Sequence, residues 1–389
     1  MTAIDRNLLE NYALLTEARR LKKAGFISPE RFVEIKSNLE VPKTQESWLV
    51  RAGFFLLGIL LYLSIHGVLA LFVVPISLAV GIEDNIQMIL LALIGLVLTE
   101  VLVRQNYYRF GLDGAFIFCS QIGVYAAVGT LTESAPGVFL AMAVFSRVGC
   151  MRYVSVFLAV ISVIGISGFF ASLIIEYEII PTAFLPFVMF LIAVGLFFAS
   201  RKMSEDKSLF LYADAILAVR IFAYILGYLS LNYLVVRQLS EVLMDVHVGP
   251  GQDIPLAIVF YAATVTMPIL YLIYGIRKRD RALFNIGILA AAFSIFTIRF
   301  YNSILPIEIA LTIGGILLFG ATYFFIRKIR ENDTGLTFKP DRYTDSEALA
   351  LAQAAIVNSH SHIRTVTTPD SSMPYGGGGF SGGGSGESY

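Results

Sequence analysis

The chain has 389 residues, of which 57% are hydrophobic, 13% aromatic and only 15% charged, with a mean hydropathy of +0.73. Soluble domains hold about 45–50% apolar and about 25% charged residues, so an excess spread over the whole length excludes one or two ordinary soluble cores and implies a polytopic membrane protein. The 29 basic and 29 acidic residues cancel, leaving no global field that would draw nucleic acid. Cys119 and Cys150 lie in apolar segments far from any CxxC spacing, so neither a disulfide framework nor a zinc site is expected.

Residues 5–24 carry Leu8, Leu9, Tyr12, Leu15, Ala18 and Leu21 at helical spacing and predict an amphipathic helix. Gly25 ends it. Ser28 then caps a second helix, with Pro29 at its first position, Glu30 in its first turn and Phe32, Ile35 and Leu39 on its apolar face. The expectation for residues 1–47 is a cytoplasmic αα-hairpin. These opening residues are charged and helical and lack the short apolar run of a cleavable signal peptide, so the first span is expected to direct insertion.

The stretch from Leu21 to Leu39 resembles a short helical hairpin module appended to many bacterial membrane proteins. Gly25, Ile27, Ser28, Glu30, Phe32, Lys36 and Leu39 match its pattern, whereas Arg31, Val33 and Ile35 depart from it. Followed by Trp48 and a glycine-bearing first span, the hairpin also resembles an uncharacterised family of multi-pass bacterial membrane proteins. That resemblance implies an interaction or self-association module within residues 5–40, and no chemistry. The alternative reading is a solvated helical cap on the first span.

The fold class is all-α, a bundle of ten spans between residues 48 and 328, because each crossing needs about 20 mostly apolar residues. They are placed near 52–74, 86–103, 114–131, 135–149, 153–175, 180–199, 208–236, 254–275, 282–299 and 303–326. Lysine and arginine collect in alternate connections: Arg104/Arg109, Arg147/Arg152, Arg201/Lys202/Lys207 and Arg277/Lys278/Arg279/Arg281, then Arg327, Lys328 and Arg330. That alternation predicts a bacterial cytoplasmic (inner) membrane protein with both termini cytoplasmic. The third and fourth segments could instead form a re-entrant hairpin, which would keep the same alternation. In the tail, 329–389, Thr344 and Glu347 predict a short helix, followed by a Gly/Ser-rich end with too little apolar area to order itself.

Catalytic motifs are absent apart from a formal GxSxG at Gly379–Gly383, which lacks the strand and helix that a nucleophile elbow needs. His360 and His362 are two ligands on a flexible tail, and Asn332-Asp333-Thr334 is a sequon on the cytoplasmic side. In the outer loop 237–253, Leu239, Val242, Leu243 and Val246 predict a short surface helix. Glu241, Asp245, His247 and Asp253 beside it read as solvated side chains rather than a cation site.

Polar groups inside spans are costly in hydrocarbon and so carry more weight. His66, Gln121 and Arg220 fall at comparable depth and form the candidate interior, either an anion site or proton-linked path, or a hydrogen-bonded clamp between helices. Asp214 and Glu100 lie nearer the inner end. Asp214 sits about 240° around the helix from Arg220 and cannot pair with it. Arg220, about 18 Å into its span, is expected to find an acceptor on another helix and to be too deep to snorkel. Arg299 and Glu308 read as a structural ion pair, and Pro186 and Pro268 as kinks within spans. No cofactor, metal or nucleic-acid partner is expected; the partners are membrane lipid and a protein or second copy at residues 5–40. The leading functional expectation is a non-catalytic assembly or regulatory protein recruited through the hairpin. The alternatives are a secondary transporter for a small anionic or amphipathic solute around Arg220, and a membrane-embedded lipid or glycan enzyme.

Overall fold

A computed structural model describes residues 2–23, 25–80, 84–243, 253–278 and 280–301, with scattered helical positions between 312 and 327. The tail beyond residue 327, Glu308, Asp245, His247 and most of the tenth predicted span lie outside the described residues.

The N-terminal hairpin forms from α1 (Arg6–Lys23) and α2 (Pro29–Asn38). At φ +82°, Gly25 takes the left-handed conformation that an L side chain resists, which lets Phe26 donate its N–H back to the Leu21 carbonyl. Ser28 caps α2 by accepting from the Arg31 N–H at 3.2 Å. Leu15, Ala18 and Leu21 of α1 close on Ile27, Phe32 and Ile35 in a small core of their own. Those contacts explain most of the hairpin pattern: Gly25 turns the chain, Ser28 caps, and Ile27, Phe32 and Leu39 pack, while Glu30 and Lys36 are exposed.

Nine long helices follow among the described residues: α3 (Trp48–Val80), α4 (Asp84–Val103), α5 (Leu112–Thr132), α6 (Ala135–Tyr153), α7 (Val156–Tyr177), α8 (Leu185–Glu205), α9 (Ala213–Leu229), and, after the short α10 (Tyr233–Leu243), α11 (Ala257–Lys278) and α12 (Arg281–Tyr301). Eight of these segments are long and apolar enough to cross a membrane. The ninth, α6, is less apolar but spans about 28 Å, close to the thickness of a bilayer core. It is also welded to α7: a Cβ on Gly165 would stand 2.4 Å from the Ala143 amide nitrogen, and Ser162 donates to the Ala143 carbonyl at 2.9 Å. The molecule is a polytopic all-α membrane protein whose outward helix faces are apolar and meet lipid.

Three expectations need correction. The seventh segment, 208–236, is not one helix. It is a 3-10 stretch Lys207–Tyr212, then α9, then a break at residues 230–232 before α10. The break is held by side chains: Asn232 Oδ1 accepts the Val235 N–H, and the Tyr233 N–H turns to Thr264 Oγ1 at 2.9 Å. The surface helix assigned to 237–253 therefore begins earlier, at Tyr233. Pro186 does not kink α8, because it lies in the first turn, where a missing N–H costs nothing. Pro268 does lie inside α11.

The hairpin docks on one end of the bundle. Ile4 and Leu9 pack with Val103, Tyr108, Tyr153, Val154 and Ala215, and the Ala3 N–H donates to the Arg152 carbonyl. The linker behind α2 is tied to the same end, with Lys43 bridging backbone to backbone to the α4–α5 connection through Asn106 and Tyr108.

Candidate functional site

Beneath the hairpin lies a charged collar. Glu100 on α4 accepts from Arg152 Nε at 2.8 Å and also from Arg152 Nη2, a fork-to-fork pair that ties α4 to α6. Arg104 adds a third donor at 2.9 Å. Arg109, in the α4–α5 connection, reaches Asp214 at the start of α9 with 2.7 Å between Nη2 and Oδ2. Asp113 accepts three backbone N–H groups, of Arg109, Phe110 and Gly111, and so shapes that connection. Burial pushes the Tyr108 hydroxyl above the usual phenol range, between Tyr12 of the hairpin and the Arg109 guanidinium. Every one of these charges is answered by a partner, which marks the collar as a brace.

His66, Gln121 and Arg220 do not share a surrounding. His66 stacks on Tyr62, with ring centroids 5.3 Å apart, and its buried Nδ1 has no hydrogen-bond partner among the described residues. Gln121 accepts from the Tyr125 hydroxyl at 3.1 Å, and that hydroxyl also meets Ser146 on α6 at 2.5 Å. Arg220 turns the other way, toward α8. Its Nη2 donates to the Ser200 carbonyl at 3.3 Å and to Ser204 Oγ. The acceptors come from another helix, as the charge requires, and Asp214 is not among them. Arg220 is about 10 Å along α9 from Ala213, and its side chain runs back to the last turn of α8.

Arg220 thereby enters a cavity of about 960 Å³ between α8, α9, α11 and α12. Phe190, Phe197, Met267 and Leu270 supply apolar wall, and Arg201, Lys278, Asp280 and Arg281 lie where the helices end. Asp280 does not neutralise Arg220. Its Oδ2 accepts from the Tyr224 hydroxyl at 2.8 Å, and its Oδ1 caps α12 through the Leu283 N–H. Arg220 Nε is buried and has no hydrogen-bond partner among the described residues. A guanidinium cannot deprotonate to escape that position, so the half-buried Arg220 presents a fixed positive charge at the end of the cavity nearer the hairpin.

A second polar cluster lies at the α9–α10 break. Asn232, fully buried, donates to the Tyr228 hydroxyl at 2.9 Å and to Thr297 Oγ1 at 3.2 Å, while Ser294 meets both Tyr228 and the Thr264 carbonyl. Its hydrogen bonds close on themselves, leaving a knot that joins α9, α11 and α12. At the outer end, Arg237 bonds to Glu241, and Tyr233 donates to Asp253 at 2.7 Å, so those two carboxylates are engaged.

Sequence reasoning missed Tyr224, Asp280, Lys278 and the two serines that receive Arg220. Asp280 alone had a legible signal, an acidic residue just ahead of a new apolar run. The expected pair of Arg299 with Glu308 falls partly outside the described residues, where Glu308 lies.

Compared with known protein families, curated proteins and solved structures, the chain has no match.

Proposed function

We propose that this chain binds an amphipathic anion from the bilayer in the cavity beside Arg220, as the holding step of a transporter or lipid-handling protein. One observation carries the reading: a permanent cation, one of its nitrogens unpartnered, set between apolar walls. The lysine and arginine clusters at the hairpin end support an inner-membrane orientation with that end cytoplasmic. The test uses the purified full chain and two detergents of equal chain length. Dodecyl phosphate should raise the thermal midpoint where dodecyl maltoside does not, and Arg220→Met should abolish the difference. An equal shift in Arg220→Met would overturn the reading.

Recruitment through residues 5–40 keeps one supporting observation. Phe26 and Val33 stand 60% and 64% exposed on the hairpin beside the free faces of Glu30 and Lys36. Its weakness is that the rest of the apolar pattern is already engaged within the chain. Deleting residues 5–40 should leave insertion intact and abolish a cross-linked complex; an unchanged complex would leave the hairpin as a cap.

A further inference from the structure

The cavity beside Arg220 is polar at one end only. Arg201 lies just before the last turn of α8, Lys278 at the end of α11 and Arg281 at the start of α12, and Arg220 reaches back toward them. These four cations face one carboxylate within the lining, Asp280, which is engaged by Tyr224 and the α12 cap. Arg201 shares its charge with Glu205 across 3.7 Å, though both are exposed. From Lys278 down to Met267 is about 16 Å of helix, and the wall over that distance is aromatic and aliphatic. Half the thickness of a bilayer core is about 15 Å. The edge of the opening carries Leu217, Leu270 and Tyr274, all exposed on helix faces that meet lipid, so entry is from the side.

A small soluble anion has no use for an apolar wall one leaflet deep, and an uncharged lipid has none for four cations. Resting on the amphipathic-anion reading, we propose that the cavity holds a phospholipid of net negative charge, drawn from the leaflet on the hairpin side. Its phosphate lies among Lys278, Arg201 and Arg220, and an acyl chain runs along Phe197, Met267 and Leu270. Basic pockets between transmembrane helices hold anionic headgroups by this combination of charge and depth. The volume, at the upper end of small-molecule pockets, suits a lipid better than an inorganic ion.

The experiment is native mass spectrometry of the full chain released from non-ionic detergent. Phosphatidylglycerol and phosphatidylcholine with identical acyl chains are supplied in equal amounts. The charged lipid should be retained in preference, and Lys278→Gln should reduce that preference about fivefold. Lys278 is exposed on the rim, so the result does not depend on whether Arg220→Met folds. Equal retention of the two lipids, with dodecyl phosphate still stabilising through Arg220, would overturn the phospholipid while sparing the broader reading. Failure of both anions would overturn both.

Discussion

Arg220 and Glu100 show why a charge inside a span has to be read with its reach. Glu100 lies in an apolar run yet meets two guanidinium groups, and Arg220 starts deep yet ends at the level of Ser204. The sequence carried the need for an acceptor but not its location, because a side chain of four bonds reaches across a whole turn of a neighbouring helix. The same limit hid Asn232, whose knot depends on Thr297 and Tyr228 meeting it from other turns. Asn232→Leu keeps the branched outline of the side chain and leaves the Val235 N–H and two hydroxyls short of a partner. It should destabilise the protein by about 1–3 kcal/mol, read as a lower thermal midpoint in detergent with no loss of anion binding. For Glu100→Gln the expected loss is of similar size, since the amide leaves Arg152 one acceptor oxygen instead of two, turns an NH2 toward its other donor and removes the opposite charge.

Among the elements, helix type and most boundaries were legible, since runs of about 20 apolar residues have no other stable form in lipid. The α9–α10 break was not legible, because Ser230, Leu231 and Asn232 are tolerated in a continuous helix and only contacts with α11 and α12 make the break preferable. The weakest predicted span, α6, turns out to be the most tightly held, through close approach rather than hydropathy. Gly165→Val should therefore abolish folded, monodisperse protein, because the new side chain must displace the Ala143 backbone. Gly195→Val on α8 is the control. Nothing lies within 4 Å of its Cβ position, so the yield should be unchanged. Equal tolerance of the two substitutions would contradict the α6–α7 packing.

For the whole molecule, the ends of the spans and the hairpin form one assembly. Basic connections gather on the hairpin end, so reporter fusions after Lys202 and Arg281 should read as cytoplasmic and fusions near Asp84 and Gly249 as periplasmic. That the hairpin docks rather than hangs free was beyond the sequence. Its two apolar faces look alike in periodicity, and only the structure separates Leu15, Leu21, Phe32 and Ile35, which hold the hairpin together, from Ile4 and Leu9, which hold it to the bundle. The separation allows a clean test. Burying Ile4 and Leu9 is worth about 1.5–3 kcal/mol each, and Cys150 is buried in the same cluster, with Tyr153 and Val154. In a Cys119→Ser background, a water-soluble thiol reagent should label Cys150 slowly in the intact chain. Ile4→Asp with Leu9→Asp should release the hairpin without unfolding its own core and raise the labelling rate at least about tenfold, a change that needs only about 1.4 kcal/mol of the docking to be lost. Phe32→Ala should instead cost the hairpin core about 3–5 kcal/mol and open it to protease. Unchanged labelling after the double Asp substitution would mean that Cys150 is shielded by the bundle alone and that the hairpin does not seal this end.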